Sequence, residues 1–227
     1  MVKELYRYRF EIFFFSQITI LFGSLIFPPI FFEAILAPLF FVVNLAAGIV
    51  LISKRKKLTW FFTVLLAVTL FAFGSTLLEK HETKVYDYLQ VAAFFLFYIV
   101  VTLEIITQVW SIKKINKNVI LGLISGYISL GFLGFFICLS IEMTYPESFQ
   151  GLFLIENGPE QLTERLLYYS FITILTIGYG DILPITTLAQ KAAVLIGLMG
   201  QFYLVIITAA VVGKYISQRN GRESDNT

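Results

Sequence analysis

Charge is scarce in this chain. Only 14% of its 227 residues are Asp, Glu, Lys or Arg, where a soluble domain carries roughly 25%. A water-covered surface of ordinary size is excluded, and lipid becomes the expected solvent. The single cysteine, Cys138, lies in an apolar run, so no intrachain disulfide can form and a buried, inert thiol is expected. A single histidine, His81, leaves no His/Cys cluster with metal-ligand spacing. Gly-rich phosphate loops and nucleophile–base pairs are missing as well, so neither an enzyme nor a cofactor is expected. No polar face gathers the basic residues, which argues against a nucleic-acid partner.

What fills the chain instead is apolar: 58% hydrophobic residues, 24 of them Phe. A membrane-spanning helix needs about 20 mostly apolar residues, and runs of that kind occur at 10–28, 33–53, 58–77, 88–110, 118–141 and 186–214. These predict an all-α membrane protein with six transmembrane helices. The first run exceeds the roughly 7–15 residues of a signal-peptide core and no A-x-A site follows, so it is read as a span. Pro28 and Pro29 mark a turn into the second run, and Pro38 predicts a kink within it.

Basic residues set the expected orientation. Lys3, Arg7 and Arg9 precede the first run; Lys54, Arg55, Lys56 and Lys57 separate the second from the third. Lys113, Lys114 and Lys117 separate the fourth from the fifth, and Lys214, Arg219 and Arg222 follow the core of the sixth. Thirteen of the 17 Lys and Arg thus fall on one side, as six spans with both termini cytoplasmic require. The opposite loops carry Glu33, Glu79, Glu82, Glu142, Glu147, Glu156, Glu160 and Glu164. Trp60 and Trp110 both fall at the predicted cytoplasmic interface, as anchors would.

Between the fifth and sixth runs the pattern changes. Residues 142–161 are polar and acidic, with Pro146, Asn157, Gly158 and Pro159 as turn signals. A short apolar helix, 161–175, follows; Pro159 suits its start, and at about 21 Å it is too short to span. It leads directly into TIGYGD, Thr176 to Asp181. Non-helical backbone at membrane depth is tolerated only when buried in protein or lining a watery path. A dehydrated cation needs oxygens in place of its waters, and successive backbone carbonyls supply them if the chain alternates between right- and left-handed conformations. Gly178 and Gly180 can adopt positive φ without a Cβ clash. The Thr176 hydroxyl can add an oxygen beneath the carbonyls, and Tyr179 is expected to turn away and brace the loop against the short helix.

Residues 167–181, LYYSFITILTIGYGD, resemble the pore-helix and filter signature of the potassium channel superfamily. The likeness continues through Gly213, along a segment similar to the inner helix of small bacterial members. The resemblance implies a re-entrant pore helix and filter loop between helices five and six. It implies K+ bound by the carbonyls of Thr176, Ile177, Gly178, Tyr179 and Gly180. Tyr168 and Tyr169 fall where the family places an aromatic cuff, with Asp181 as a hydrogen-bond partner; ordinary pore-helix packing is the alternative. Leu175 departs from the family's frequent Thr. One filter per chain implies a homotetramer in a lipid bilayer, in the plasma membrane of a bacterial cell, conducting K+ as permeant ion.

On this reading residues 113–227 form a pore domain, with outer helix 118–141, pore helix 161–175, filter 176–181 and inner helix 186–214. Gly200 matches the family's flexing position, so hinge and close packing both stand; packing is expected at Gly197. Gln201, Leu204, Thr208 and Val212 share one face by helical spacing and are expected to line the cavity. Residues 1–112 form a four-helix, sensor-like domain. Its fourth run, Tyr88 to Trp110, contains no Lys or Arg, so steep voltage gating is not expected. Glu104 is the ionisable group inside it, open to proton sensing, pairing with a cytoplasmic Lys, or snorkelling. Asn44 can join helices by hydrogen bonding.

Overall fold

The computed structural model describes residues 2–28, 31–78, 84–111, 116–152 and 160–224. Pro29, Glu79, His81, Glu82, Lys113, Lys114, Glu156, Asn157, Gly158 and Pro159 lie outside them, as does the expected domain boundary at 112/113. The described chain is helical almost throughout: α1 (Val2–Arg7), α2 (Arg9–Phe22), α3 (Ala37–Ile52), α4 (Lys56–Leu78), α5 (Lys84–Ser111), α6 (Lys117–Thr144), α7 (Glu160–Ile174) and α8 (Thr187–Ser224). Two short strands, β1 (Phe149–Gln150) and β2 (Leu183–Pro184), pair antiparallel.

Among the described residues three segments are long and apolar enough to cross a membrane: Tyr88–Ser111, Lys117–Thr144 and Thr187–Ile216. Helices occur at the other three expected positions, but α2 has 14 residues and α3 has 16, short of the roughly 20 a span needs. A 3-10 turn, Gly23–Leu25, ends the first segment early. Pro38 lies inside a helical run that is unbroken from Phe31 to Ile52. It occupies the first turn of α3, behind a π-helical turn at Phe32–Leu36 in which the Ala37 N–H donates to the Phe32 carbonyl. Because the ring has no N–H to give and would crowd the preceding turn, the wider π turn accommodates it at the helix start. In the other direction, α8 runs ten residues past its expected end at 214.

Aromatic rings hold the bundle together. Tyr98 of α5 stacks on Phe132 of α6 at 5.0 Å between centroids, and Phe94 stacks on Phe136 at 5.7 Å. Phe41 of α3 packs edge-on against both α6 rings. The core therefore runs without a break from the first helices into the second half of the chain.

Several polar side chains inside this core pair with one another, while Gln17 Oε1, Thr102 Oγ1 and Ser125 Oγ have no partner among the described residues. Asn44 donates to the Ser16 hydroxyl at 2.8 Å and accepts from the Tyr98 hydroxyl at 2.8 Å, joining α2, α3 and α5. Gln17, fully buried, donates to the Ser129 hydroxyl of α6 at 2.8 Å. At one end of the bundle, Arg55 pairs with Glu104 at 2.8 Å, Gln108 donates to Glu104, and Arg9 donates to Gln108. Glu104 is thus the anchor of a network, with an arginine rather than a lysine as its ionic partner. Trp60 and Trp110 are largely exposed, as interfacial rings would be. Lys214 of α8 donates to the Trp110 carbonyl at the C-terminal end of α5, drawing α8 to the same end.

Candidate pore site

The site begins where α7 stops. Its C-terminal turn does not end in open carbonyls: the Thr176 N–H donates to the Thr173 carbonyl at 3.0 Å. The N–H groups of Ile177 and Gly178 both reach the Ile172 carbonyl, at 2.9 and 3.3 Å. The chain then runs on with φ of +58° at Thr176, +55° at Gly178 and +79° at Gly180, while Ile177 and Tyr179 keep negative φ. The alternation expected from the two glycines extends one step further, to a β-branched residue for which positive φ is costly. Among the described residues no backbone N–H donates to the carbonyls of Thr176 through Gly180, and the whole stretch 175–181 is exposed in the single chain.

Several contacts hold this loop in place. The carbonyl of Ile174, the last α7 residue, accepts from the Tyr127 hydroxyl of α6 at 2.9 Å. Against the same residue lies Gly200 of α8, where an added Cβ would fall 2.8 Å from the Ile174 oxygen. Close approach of α8 to the loop's root is therefore the visible role of Gly200. An added Cβ at Gly197, where packing was expected, meets nothing within 4 Å in the chain. On the other side of α7, the Ser170 hydroxyl donates to the Gly131 carbonyl at 2.7 Å. Gly131 and Gly134 leave room on α6 for Phe171 and Ser170. Small residues let the two backbones come close.

A second frame surrounds the loop's far end. Buried Glu142, at the end of α6, accepts from the N–H groups of Glu147 and Ser148 at 2.7 and 3.0 Å. Ser148 in turn accepts from Ile185, beside the β1–β2 pair. Gly151, at φ +93°, packs so tightly on Asp181 that an added Cβ would overlap the Asp181 oxygen, and Arg165 donates to the Gly151 carbonyl at 2.7 Å. Sequence reading missed this frame. Glu142 ends an apolar run, which was a usable signal; its backbone partners were not.

The two expected cuff tyrosines separate. The Tyr168 hydroxyl sits beside the Asp181 carboxylate. Tyr169 turns away and packs edge-on against Phe149 at 5.2 Å, buried in the α6–β1 wall. They are consecutive on a helix and point about 100° apart, so one chain cannot aim both at the loop. Tyr179 reaches toward Tyr168 but stays 71% exposed, so it braces little against its own α7. Leu175 is also exposed. On α8, Gln201, Leu204, Thr208 and Val212 are all exposed. The last three also border a crevice of about 320 Å³ against α6.

Residues 122–218 match a family model described as ion channel. That match begins in α6 and ends in α8, so it spans the whole arrangement above and points to an ion channel rather than an enzyme. Comparison with curated proteins found no match, and comparison with solved structures found none. The three long apolar helices and the match together point to a membrane protein.

Proposed function

We propose that four copies of this chain form a potassium-selective channel, with Thr176, Ile177, Gly178, Tyr179 and Gly180 of each copy facing a common axis. The observation that carries this reading is the alternating φ at 176, 178 and 180, in a loop whose carbonyls receive no hydrogen bond among the described residues. An exposed run of peptide oxygens beside apolar helices is costly unless something takes the place of water. A bare K+ between four such runs satisfies the oxygens, and the oxygens satisfy the ion. A ring is also what gives Tyr179, Ile177 and the exposed face of α8 partners. Four α7 helices would then aim their C-terminal partial negative charge toward the axis below the loop, favouring a cation there.

On this reading the chain crosses the plasma membrane six times with both termini cytoplasmic, and Gln201, Leu204, Thr208 and Val212 line the cavity. Gly200, wedged on Ile174, is the place where bending α8 would be felt by the filter; that is its proposed hinge role. Moving one charge through the field supplies only about 2.3 kcal/mol per 100 mV, and Tyr88–Trp110 carries no basic residue, so opening is not steeply voltage-dependent. The test is flux through the purified protein in liposomes. Barium-blockable potassium flux with sodium strongly disfavoured, changing little with voltage, is expected. Equal sodium flux would reduce the protein to a non-selective cation channel, and no flux under any condition would refute the proposal.

A further inference from the structure

A second site lies away from the filter, between the first helices and the pore. A cavity of about 450 Å³ opens where α2, α3, α5, α6 and α7 meet. Its volume falls within the roughly 300–1,000 Å³ of small-molecule sites, and a two-chain phospholipid would not fit. The floor is aromatic, built from Phe41, Phe94 and Phe136, rings that also hold the bundle core together. Three half-buried polar side chains share the lining: Gln90 near the start of α5, and Thr163 and Glu164 in the first turns of α7.

Among the described residues, none of these three side chains has a hydrogen-bond or ionic partner. Among the described residues the lone carboxylate of the lining therefore stands unanswered, half-buried in the wall of a largely apolar chamber that an amide and a hydroxyl also line. A part-buried charge in that position is stabilised by an opposite charge, and the chamber beneath it by an apolar filler. Both needs are met by one molecule.

We propose that this cavity binds a lipophilic amine: a protonated ammonium at Glu164, hydrogen-bonded to Gln90 or Thr163, with a single apolar tail over the Phe floor. Since Leu162, Thr163 and Leu167 of α7 form one wall, an occupant touches the helix that carries the filter, and its site is distinct from the ion path. The proposal does not depend on potassium selectivity.

The test uses the full-length protein in liposomes and a photoreactive alkyl-diazirine primary amine, with the alcohol of equal chain length as its control. Adducts are mapped by mass spectrometry, so the readout needs no conduction and its failure is separate from a failure of ion flux. The amine should label segments around Phe94 and Phe136, and excess octylamine should compete it away. Glu164→Gln should reduce amine labelling about tenfold or more, to the level of the alcohol. Leu139→Trp, which fills the cavity and leaves the carboxylate in place, should abolish labelling by both probes. Equal labelling by amine and alcohol in the unaltered protein would overturn the proposal, as would labelling unchanged by Leu139→Trp or adducts confined to the lipid-facing helix surfaces.

Discussion

The first half of this chain and the loop at 176–180 solve the same problem in opposite ways. Both contain polar groups surrounded by apolar helices. In the first half several are answered from within: Asn44 by Ser16 and Tyr98, the Gln17 amide N–H by Ser129, Glu104 by Arg55 and Gln108. At 176–180 the amides near α7 are answered, and the carbonyls receive no backbone hydrogen bond among the described residues. The same contrast separates α6, whose Phe132, Phe135 and Cys138 are buried, from α8, whose Phe202, Val205 and Ile206 are exposed. A membrane protein leaves backbone oxygens open only where something else supplies the partner. On the proposed reading, the function sits in the part the single chain leaves unfinished.

The sharpest way to break the comparison is to close the open half. Gly178→Ala places a Cβ on a residue at φ +55°, costing about 1–2 kcal/mol per chain, or about 4–8 kcal/mol over four copies. Selective potassium flux should fall to background while circular dichroism keeps the helical signal; retained selectivity would mean the alternation is not what the ion sees. Next in size is Gly200→Val, which drives side-chain atoms into the Ile174 backbone at a cost of about 1–3 kcal/mol for overpacking. Flux should drop sharply and thermal stability moderately, whereas Gly197→Val, facing open space in the chain, should leave stability unchanged.

Two smaller changes address the answered groups. Glu142→Gln weakens a carboxylate that accepts two backbone N–H bonds, for which a loss of about 1–3 kcal/mol is expected. Hydrogen exchange at Glu147 and Ser148 should accelerate, with exchange in α3 unaffected. Asn44→Ala removes a bridge among three helices, and membrane hydrogen bonds of this kind average about 0.6 kcal/mol. Denaturation should shift slightly while ion selectivity stays constant; a change in selectivity would link the two halves more closely than their contacts indicate.

How much of this was legible beforehand follows the same division. The alternation at 176–180 was partly legible because its signal is local: two glycines spaced by one residue, a short helix before and a long one after. The positive φ of Thr176 was not, since a threonine there looks ordinary until the chain's geometry is fixed by Ile172 and Thr173. Helix positions followed hydropathy, yet α2 proved shorter than its apolar run, because hydropathy sees lipid and not the 3-10 turn at Gly23. The cavity under Glu164 was invisible because its lining comes from residues far apart in the chain, and the Glu142 frame because its partners are backbone N–H groups of a turn. The separation of Tyr168 from Tyr169 follows from their consecutive places on one helix. Gly197 and Gly200 look alike in sequence; only the approach of Ile174 separates them.

The most direct measurement is anomalous scattering from rubidium, a potassium substitute, in crystals of the full-length protein. The account predicts fourfold symmetry with several rubidium peaks along the axis, each surrounded by carbonyls of Thr176 to Gly180 from all four copies. Peaks absent from that axis, or Tyr179 and its flanking glycines turned into detergent away from any symmetry axis, would contradict it.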